Sequence, residues 1–263
     1  MAELVQTQQR GHIFEIVLSR PEKRNAMNWQ LMTELDAAIM QADRSSGLRA
    51  IIVRGEGSGF SAGIDVTTFV GAGEHFGENW RQNLFPLTAA YQGVLNRLER
   101  SPVPSIALLH GYCLGLGFEL ALACDFRIAA VGTRIASPEV RLGIIPDVGG
   151  TTRLTRLVGP GRSKEYIMTG KSFDLADAER WGVVNYVVPE NDLMSKGDAL
   201  VSELVQAAPL AVSYAKRVID GLSDVERGLQ LEGWAQNMLI QTEDFEIGAQ
   251  AALTKQTPEW KGK

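Results

Sequence analysis

One stretch limits the possible folds more than any other: residues 104–128, PSIALLHGYCLGLGFELALACDFRI. It opens with a short apolar run at 105–109, bounded by proline and glycine, the pattern of a buried strand. Glycines follow at 111, 115 and 117. A second apolar run, 116–124, puts Leu116, Leu120 and Ala123 at helical spacing, with Phe118, Ala121 and Leu122 on its other faces. A helix apolar nearly all round belongs in an interior. A glycine-rich turn into such a helix brings backbone N–H groups into a tight place, and the first of them have no partner within the helix. They lie at the positive end of the helix dipole, where developing negative charge is well held. Glu119 falls within the first turns of this helix. Burial makes its ionisation costly and raises its pKa, which suits acid–base work near neutral pH. A buried acid satisfied by its neighbours fits the same pattern.

At 263 residues the chain is one large domain or one domain with an appendage. A 45% hydrophobic and 22% charged composition suits a globular protein with a sizeable core. The net charge of -5 argues against nucleic acid as a partner, although Lys23 and Arg24 form a local basic pair. The two cysteines, Cys113 and Cys124, both fall in the central stretch, so no disulfide framework is implied and a reducing cytoplasm fits. With only His110 nearby they make a poor metal set. No signal-peptide core is seen at the start, and no apolar run is long enough to cross a membrane.

Residues 3–9 and 12–19 alternate around Arg10 and Gly11 and read as a β-hairpin. A polar turn at 21–25 leads to a helix over 28–43, with Asn28 as its N-cap. Residues 48–54 read as a buried strand, followed by a second glycine-rich loop, GEGSGFSAGIDV, at 55–66. A long helical stretch over 74–100, with a mobile portion near 71–77, precedes the strand at 103–109. Another strand is expected at 126–130 and a short helix at 151–157. Strand, helix and strand in this order give a parallel α/β core. From Gly161 the texture becomes helical: 162–169, 175–181, 192–207, 211–222, 225–242 and 244–255, with one strand at 183–188. The last helices carry surplus apolar positions such as Leu229, Trp234 and Phe245, which suit either a lid on this chain or a face against a second copy.

Several stretches, in this order, resemble the crotonase superfamily, the enoyl-CoA hydratase/isomerase family. They are Asn25-Ala-Met-Asn28, GFSAGIDV, HGYCLGLGFELALACDFRI, ASPEVRLGIIPDVGGTTRL and GKSFDLADAERWGVVNYVVP. The resemblance covers nearly the whole chain. It implies a spiral of ββα turns over residues 1–200, holding the active site, and a helical C-terminal region over 201–263 that builds homotrimers, often paired into homohexamers. It implies acyl-CoA thioester substrates and no separate cofactor, coenzyme A being part of the substrate. The oxyanion hole falls to the N–H groups of Ile64 and Leu116. The family usually has glycine at the Leu116 position, so leucine keeps the donor and adds a side chain that narrows the acyl pocket. The hydratase acids correspond to Glu119 and Glu139, in family spacing, with Glu139 as donor to C2 and Glu119 as water activator. Asp147 matches either a turn residue before Gly-Gly or the acid that some isomerases use to move a proton along the acyl chain. The implied CoA contacts are Lys23, Arg24, Ala26, Ala62, Gly63 and Asp65. Near the C-terminus the family often has an aromatic and a pair of bases, where this chain has Ala252, Lys255 and Gln256. Leu87, Tyr91, Phe118 and Trp80 are expected around the acyl pocket.

Hydration of a 2-enoyl-CoA in fatty-acid or lipid metabolism is the leading expectation. Double-bond isomerisation and non-catalytic acyl-CoA binding are the alternatives. Gly59-Phe-Ser-Ala-Gly63 also matches the G-x-S-x-G elbow of serine hydrolases. That reading needs a later acid and then a histidine, and the histidines are His12, His75 and His110. Ser61 is therefore expected to shape its loop, and His110 to be structural. The GPGRSK run at 159–164 lacks phosphate-loop spacing.

Overall fold

The computed structural model describes residues 3–68, 73–74, 77–79, 85–222, 238–239, 241–254 and 256–263. The expected hairpin is present: β1 (Val5–Arg10) pairs antiparallel with β2 (Ile13–Leu18). From β2 the main sheet runs in parallel through β3 (Ala50–Gly55), β4 (Ser105–Leu109), β6 (Phe126–Ala130) and β8 (Tyr186–Val188). All six residues of β2 and all five of β4 are buried, as a sheet covered on both faces requires. Alternate residues divide between two cores. Ile16, Ile51, Val53 and Leu109 face one core; Ile13, Ile52, Ile106 and Leu108 face the other, together with Leu193 and Leu200 of α6 (Leu193–Val205).

A second layer of short parallel segments was not legible as such in the sequence. β5 (Tyr112–Leu114) pairs with β7 (Arg134–Ala136), and single bridges join Ser61 to Cys113 and Met27 to Ile64. The chain therefore repeats one move. A main-sheet strand is followed by a second-layer segment and then by a helix: α1 (Trp29–Arg44), α2 (Phe85–Arg100) and α3 (Leu116–Ala123). This is the spiral of ββα turns, in which equivalent points of successive turns become neighbours. Three- and two-residue contacts are too short to show a period of their own.

Local sequence explains the helices. Asn28 caps α1 by accepting from the Leu31 N–H at 2.9 Å, and Leu31, Leu35 and Ile39 form its buried stripe. All eight residues of α3 are buried, so this helix cannot call on water at either end. Arg127, itself buried, closes its C-terminal end. The guanidinium donates to Cys124 O at 2.6 Å, Ala121 O at 3.3 Å and Val183 O at 2.8 Å.

Some expectations need correction. The helices at 151–157 and 162–169 are one element, α4 (Gly150–Thr169), kinked at Gly159 where the backbone takes φ 77 before Pro160. The strand at 183–188 is confined to β8, because Val183 and Val184 turn back to hydrogen-bond Ala178 O. Within the expected 74–100 helix, α2 accounts for residues from Phe85 onward, and the mobile stretch near 71–77 lies largely outside the described residues. α5 (Leu175–Arg180), α7 (Pro209–Asp220) and α8 (Glu243–Thr254) follow, while most of the expected 225–242 helix lies outside them. The C-terminal tail is tied back onto α8 by Asp244, which accepts from the N–H groups of Lys261 at 2.7 Å and Gly262 at 3.0 Å. No described helix is long and apolar enough to cross a membrane.

Arg127→Met would take the side-chain donor from Cys124 O and from Val183 O, at roughly 1–3 kcal/mol each, while Ala121 O keeps the Cys124 N–H. Thermal unfolding should show a fall in Tm of roughly 5–15 °C. An unchanged Tm would mean that these carbonyls find other donors.

Candidate active site

The second layer dictates where backbone donors point. Met27 pairs with the loop through its own N–H to Gly63 O at 2.8 Å and by accepting at its O from the Asp65 N–H at 2.9 Å. In such a pairing the residue between, Ile64, directs its N–H to the opposite side. Leu116 is the first residue of α3, so its N–H has no acceptor within the helix. Among the described residues, neither N–H has a protein acceptor.

Glycines let these two segments touch. A Cβ on Gly63 would stand 2.8 Å from Leu114 O and 3.3 Å from Leu116 N, and Gly63 has φ 97. A Cβ on Gly117 would meet the Ser61 side chain at 2.7 Å. Ile64 and Leu116 both line one cavity of about 390 Å³.

Glu119 and Glu139 line that same cavity. Glu119, on α3, is only 2% exposed. One carboxylate oxygen accepts from the Gly150 N–H at the start of α4, at 2.7 Å. A Cβ on Gly150 would lie 2.9 Å from Glu119 Cγ, so glycine is what permits this approach. Burial raises the Glu119 pKa to about 8; the Gly150 N–H pulls the other way, and the charges of Glu139 and Asp147 add to the rise. Glu139 follows β7 and opens a short 3-10 turn. It is 7% exposed, and neither carboxylate oxygen has a hydrogen-bond partner among the described residues. Burial lifts its pKa to about 7; its own backbone N–H opposes the rise and the Asp147 charge adds to it.

Asp147 is a turn residue that also lines the cavity. Its carboxylate accepts from Thr88 Oγ1 at 2.7 Å, and Gln92 Nε2 donates to its carbonyl at 2.6 Å. Thr88 and Gln92 are positioning residues that the sequence reading missed, since nothing in α2 marks a contact 55 or more residues away. The remaining wall is apolar, with Leu87 and Tyr91 from α2 and Ile144, Ile145 and Val148 from the loop before α4. Phe118 packs edge-on against Phe173 in the core, and Trp80 lies outside the described residues.

The other expected site residues lie on the loop beside the cavity rather than in its wall. Lys23 and Arg24 are exposed, with Arg24 in a left-handed conformation at φ 55. The Ala26 N–H donates to Lys23 O at 3.0 Å, and the Ala62 N–H to Arg24 O at 3.0 Å. Asp65 is bound by Arg20 at 2.6 Å and by Thr67. Burial would raise its pKa, but these hydrogen bonds outweigh it and the net shift is downward. Asn25, wholly buried, accepts from Arg20 N and donates to Glu56 O and Gly59 O, pinning the glycine loop from beneath. Ser61 Oγ donates to Asn25 O at 2.8 Å and accepts from the Gly63 N–H. It shapes the loop. His110 Nε2 lies 3.0 Å from Gly57 O. Among the described residues, no cluster of His, Cys, Asp or Glu fits a metal ion. A larger cavity, about 590 Å³, abuts the far end of α3, and the Lys216–Asp125 pair in its wall is joined at 2.7 Å.

Comparison with known proteins identifies the family and the fold. The sequence profile of the enoyl-CoA hydratase/isomerase family matches residues 8–263. Carnitinyl-CoA dehydratase of Salmonella paratyphi B is 36% identical over 270 residues, covering 100% of both chains. The mitochondrial Delta(3,5)-Delta(2,4)-dienoyl-CoA isomerase of Dictyostelium discoideum is 30% identical over 256 residues, covering 95% of this chain and 87% of that one. The crystal structure of an enoyl-CoA hydratase from Bacillus anthracis superposes with a TM-score of 0.91 at 34% identity, covering 99% of this chain and 100% of that one. The chain belongs to the enoyl-CoA hydratase/isomerase family.

Proposed function

We propose that the protein is an enoyl-CoA hydratase, adding water across the 2,3 double bond of a 2-enoyl-CoA to give a 3-hydroxyacyl-CoA. One observation carries this reading: two unpaired N–H groups and two carboxyls of raised pKa share one cavity. The thioester oxygen accepts from Ile64 and Leu116. Water oxygen bonds to C3, and the displaced π electrons move onto the thioester oxygen as an enolate. Preorganised donors of this kind are worth roughly 10²–10³ in rate each. Glu119 takes the proton from water and Glu139 gives one to C2, returning the enolate to a thioester.

Burial holds both acids toward their protonated forms, and their protons titrate as a coupled pair. Among the described residues no other residue donates to the Glu139 carboxyl, so its charge has the weaker support. Glu119 keeps the Gly150 N–H, which favours its ionised form.

A second reading, double-bond isomerisation, is favoured by Asp147 in the same wall, and one relative above is named for an isomerase and another for a dehydratase. Acyl-CoA binding without turnover is the third. The CoA portion lies along the loop of Lys23, Arg24, Ala26, Ala62, Gly63 and Asp65, with exposed cations for its phosphates. CoA is part of the substrate and no further cofactor is used. The C-terminal region, 201–263, assembles a homotrimer or homohexamer, acting on lipid-derived thioesters in a reducing cytoplasm. Sedimentation of the purified chain measures the assembly.

Incubation with crotonyl-CoA should remove the enoyl absorbance and yield 3-hydroxybutyryl-CoA. A shifted double bond without hydroxyacyl product would establish the isomerase, and binding without turnover the third reading. Glu139→Gln should lower kcat by orders of magnitude with little change in KM. Asp147→Asn should do far less; equal losses would make Asp147 a proton carrier.

Because kcat/KM needs one acid protonated and the other ionised, its pH profile should be a bell peaking between about 7 and 8, its limbs belonging to the pair. Stability has a definite sign as well. Both pKa values are raised from 4.5, so between pH 4.5 and about 8 the folded chain holds more protons than the unfolded one. Stability from these groups is full below 4.5 and falls as pH rises, by at most about 1.4 kcal/mol per pH unit per carboxyl. Glu119→Gln should therefore raise Tm above the parent's at pH 8 and leave it nearly unchanged at pH 5. A lower Tm at pH 8 would contradict the assignment.

A further inference from the structure

The residue that donates one amide to the thioester also supplies the wall beside it. Leu116 is 3% exposed and lines the cavity beside Ile64 and Glu139. Standard bond lengths put a residue's Cβ about 2.5 Å from its own nitrogen. An oxygen accepting from that nitrogen lies about 2.9 Å away. A thioester oxygen held by the Leu116 N–H therefore lies within about 5.4 Å of the leucine Cβ, with its carbonyl carbon and C2 one and two bonds further on.

The other boundaries around that point are rigid or occupied. The Leu116 backbone cannot retreat from its neighbour, since a Cβ on Gly63 would already be 2.8 Å from Leu114 O and 3.3 Å from Leu116 N. Glu139 closes one flank: its Oε1 stands 2.9 Å from where a Gly115 Cβ would be. The branched side chain of Ile64 lines the cavity as well. The distal wall is different. Ile144 and Ile145, which also line the cavity, are 41% and 61% exposed, so that end reaches solvent. The space is closed at C2 and open along the chain.

We propose that Leu116 is a specificity-determining residue that admits thioesters unbranched at C2 and rejects those carrying a methyl group there. This rests on the proposed placement of the thioester oxygen between Ile64 and Leu116. The methyl would have to displace the leucine or one of its neighbours in the cavity wall, Ile64 or Glu139. Displacing the thioester instead would take its oxygen out of line with the Leu116 N–H, so discrimination appears in turnover as well as in binding.

The test compares crotonyl-CoA with 2-methylcrotonyl-CoA for the parent and for Leu116→Ala, Leu116→Gly and Leu87→Ala. The parent should favour the unbranched thioester in kcat/KM by roughly 10–200-fold, the range for one methyl group in a fitted pocket. Leu116→Ala and Leu116→Gly should each shrink that ratio at least about fivefold, and Leu87→Ala should not. A parent ratio within about threefold of unity would overturn the proposal. So would a ratio left intact by both Leu116 variants, or one relaxed equally by Leu87→Ala. Competition binding of butyryl-CoA and 2-methylbutyryl-CoA provides an arm independent of chemistry. If the parent turns over neither enoyl substrate, the hydratase reading fails, and the binding ratio across the same variants still decides the role of Leu116. Circular dichroism of each variant separates loss of fold from loss of selectivity.

Discussion

Close contact between main chains, made possible by glycine, is what the site depends on. Gly63 lies against Leu114 and Leu116, Gly117 against Ser61, and Gly115 against Glu139. At each contact a Cβ would approach another atom closer than 3.0 Å. The spiral supplies the alignment, since second-layer segments of successive turns pair through Met27–Ile64, Ser61–Cys113 and β5–β7. The glycines supply the closeness. Together they leave two N–H groups facing a cavity with no protein acceptor among the described residues, a state that folding normally avoids. Asn25 and Ser61 spend their own polar groups on backbone atoms of the loop and hold this unfinished arrangement in shape.

The acids obey the opposite economy. Glu119 and Glu139 are buried near one another and near Asp147, which disfavours ionisation of each. The fold lessens that cost unequally. The Gly150 N–H, at the start of α4, stabilises a charge on Glu119, while among the described residues only its own backbone N–H does so for Glu139. This asymmetry distinguishes the two carboxyls by their surroundings rather than by residue type. Asp147 is fixed by Thr88 and by the Gln92 contact to its carbonyl, so its field at the two acids is constant.

Much of this was legible in the sequence. The apolar 116–124 run announced a buried helix, and Glu119 within it an acid with raised pKa. The glycine loops announced close backbone approach, and the order of motifs announced the spiral. The second layer was hidden because β5 and β7 have three residues each and the remaining bridges are single pairs. Such pieces carry no period. The support of Asp147 by α2 was hidden for a different reason: threonine and glutamine on a helix face read as solvated positions until tertiary packing brings a partner. Arg127 carried no signal of its own within the expected 126–130 strand; its role at the buried end of α3 shows only in the fold. Asn25 stood out in a motif, but its left-handed backbone at φ 53 and its three hydrogen bonds under the loop emerged only in three dimensions.

The central claim is that one substrate oxygen is shared by two main-chain amides on successive turns of the spiral. A crystal structure with a bound, unreactive saturated acyl-CoA measures this directly. The account requires the thioester oxygen within about 3 Å of both the Ile64 and the Leu116 nitrogen. An oxygen bound elsewhere, or amides turned toward separate cavities, would contradict it.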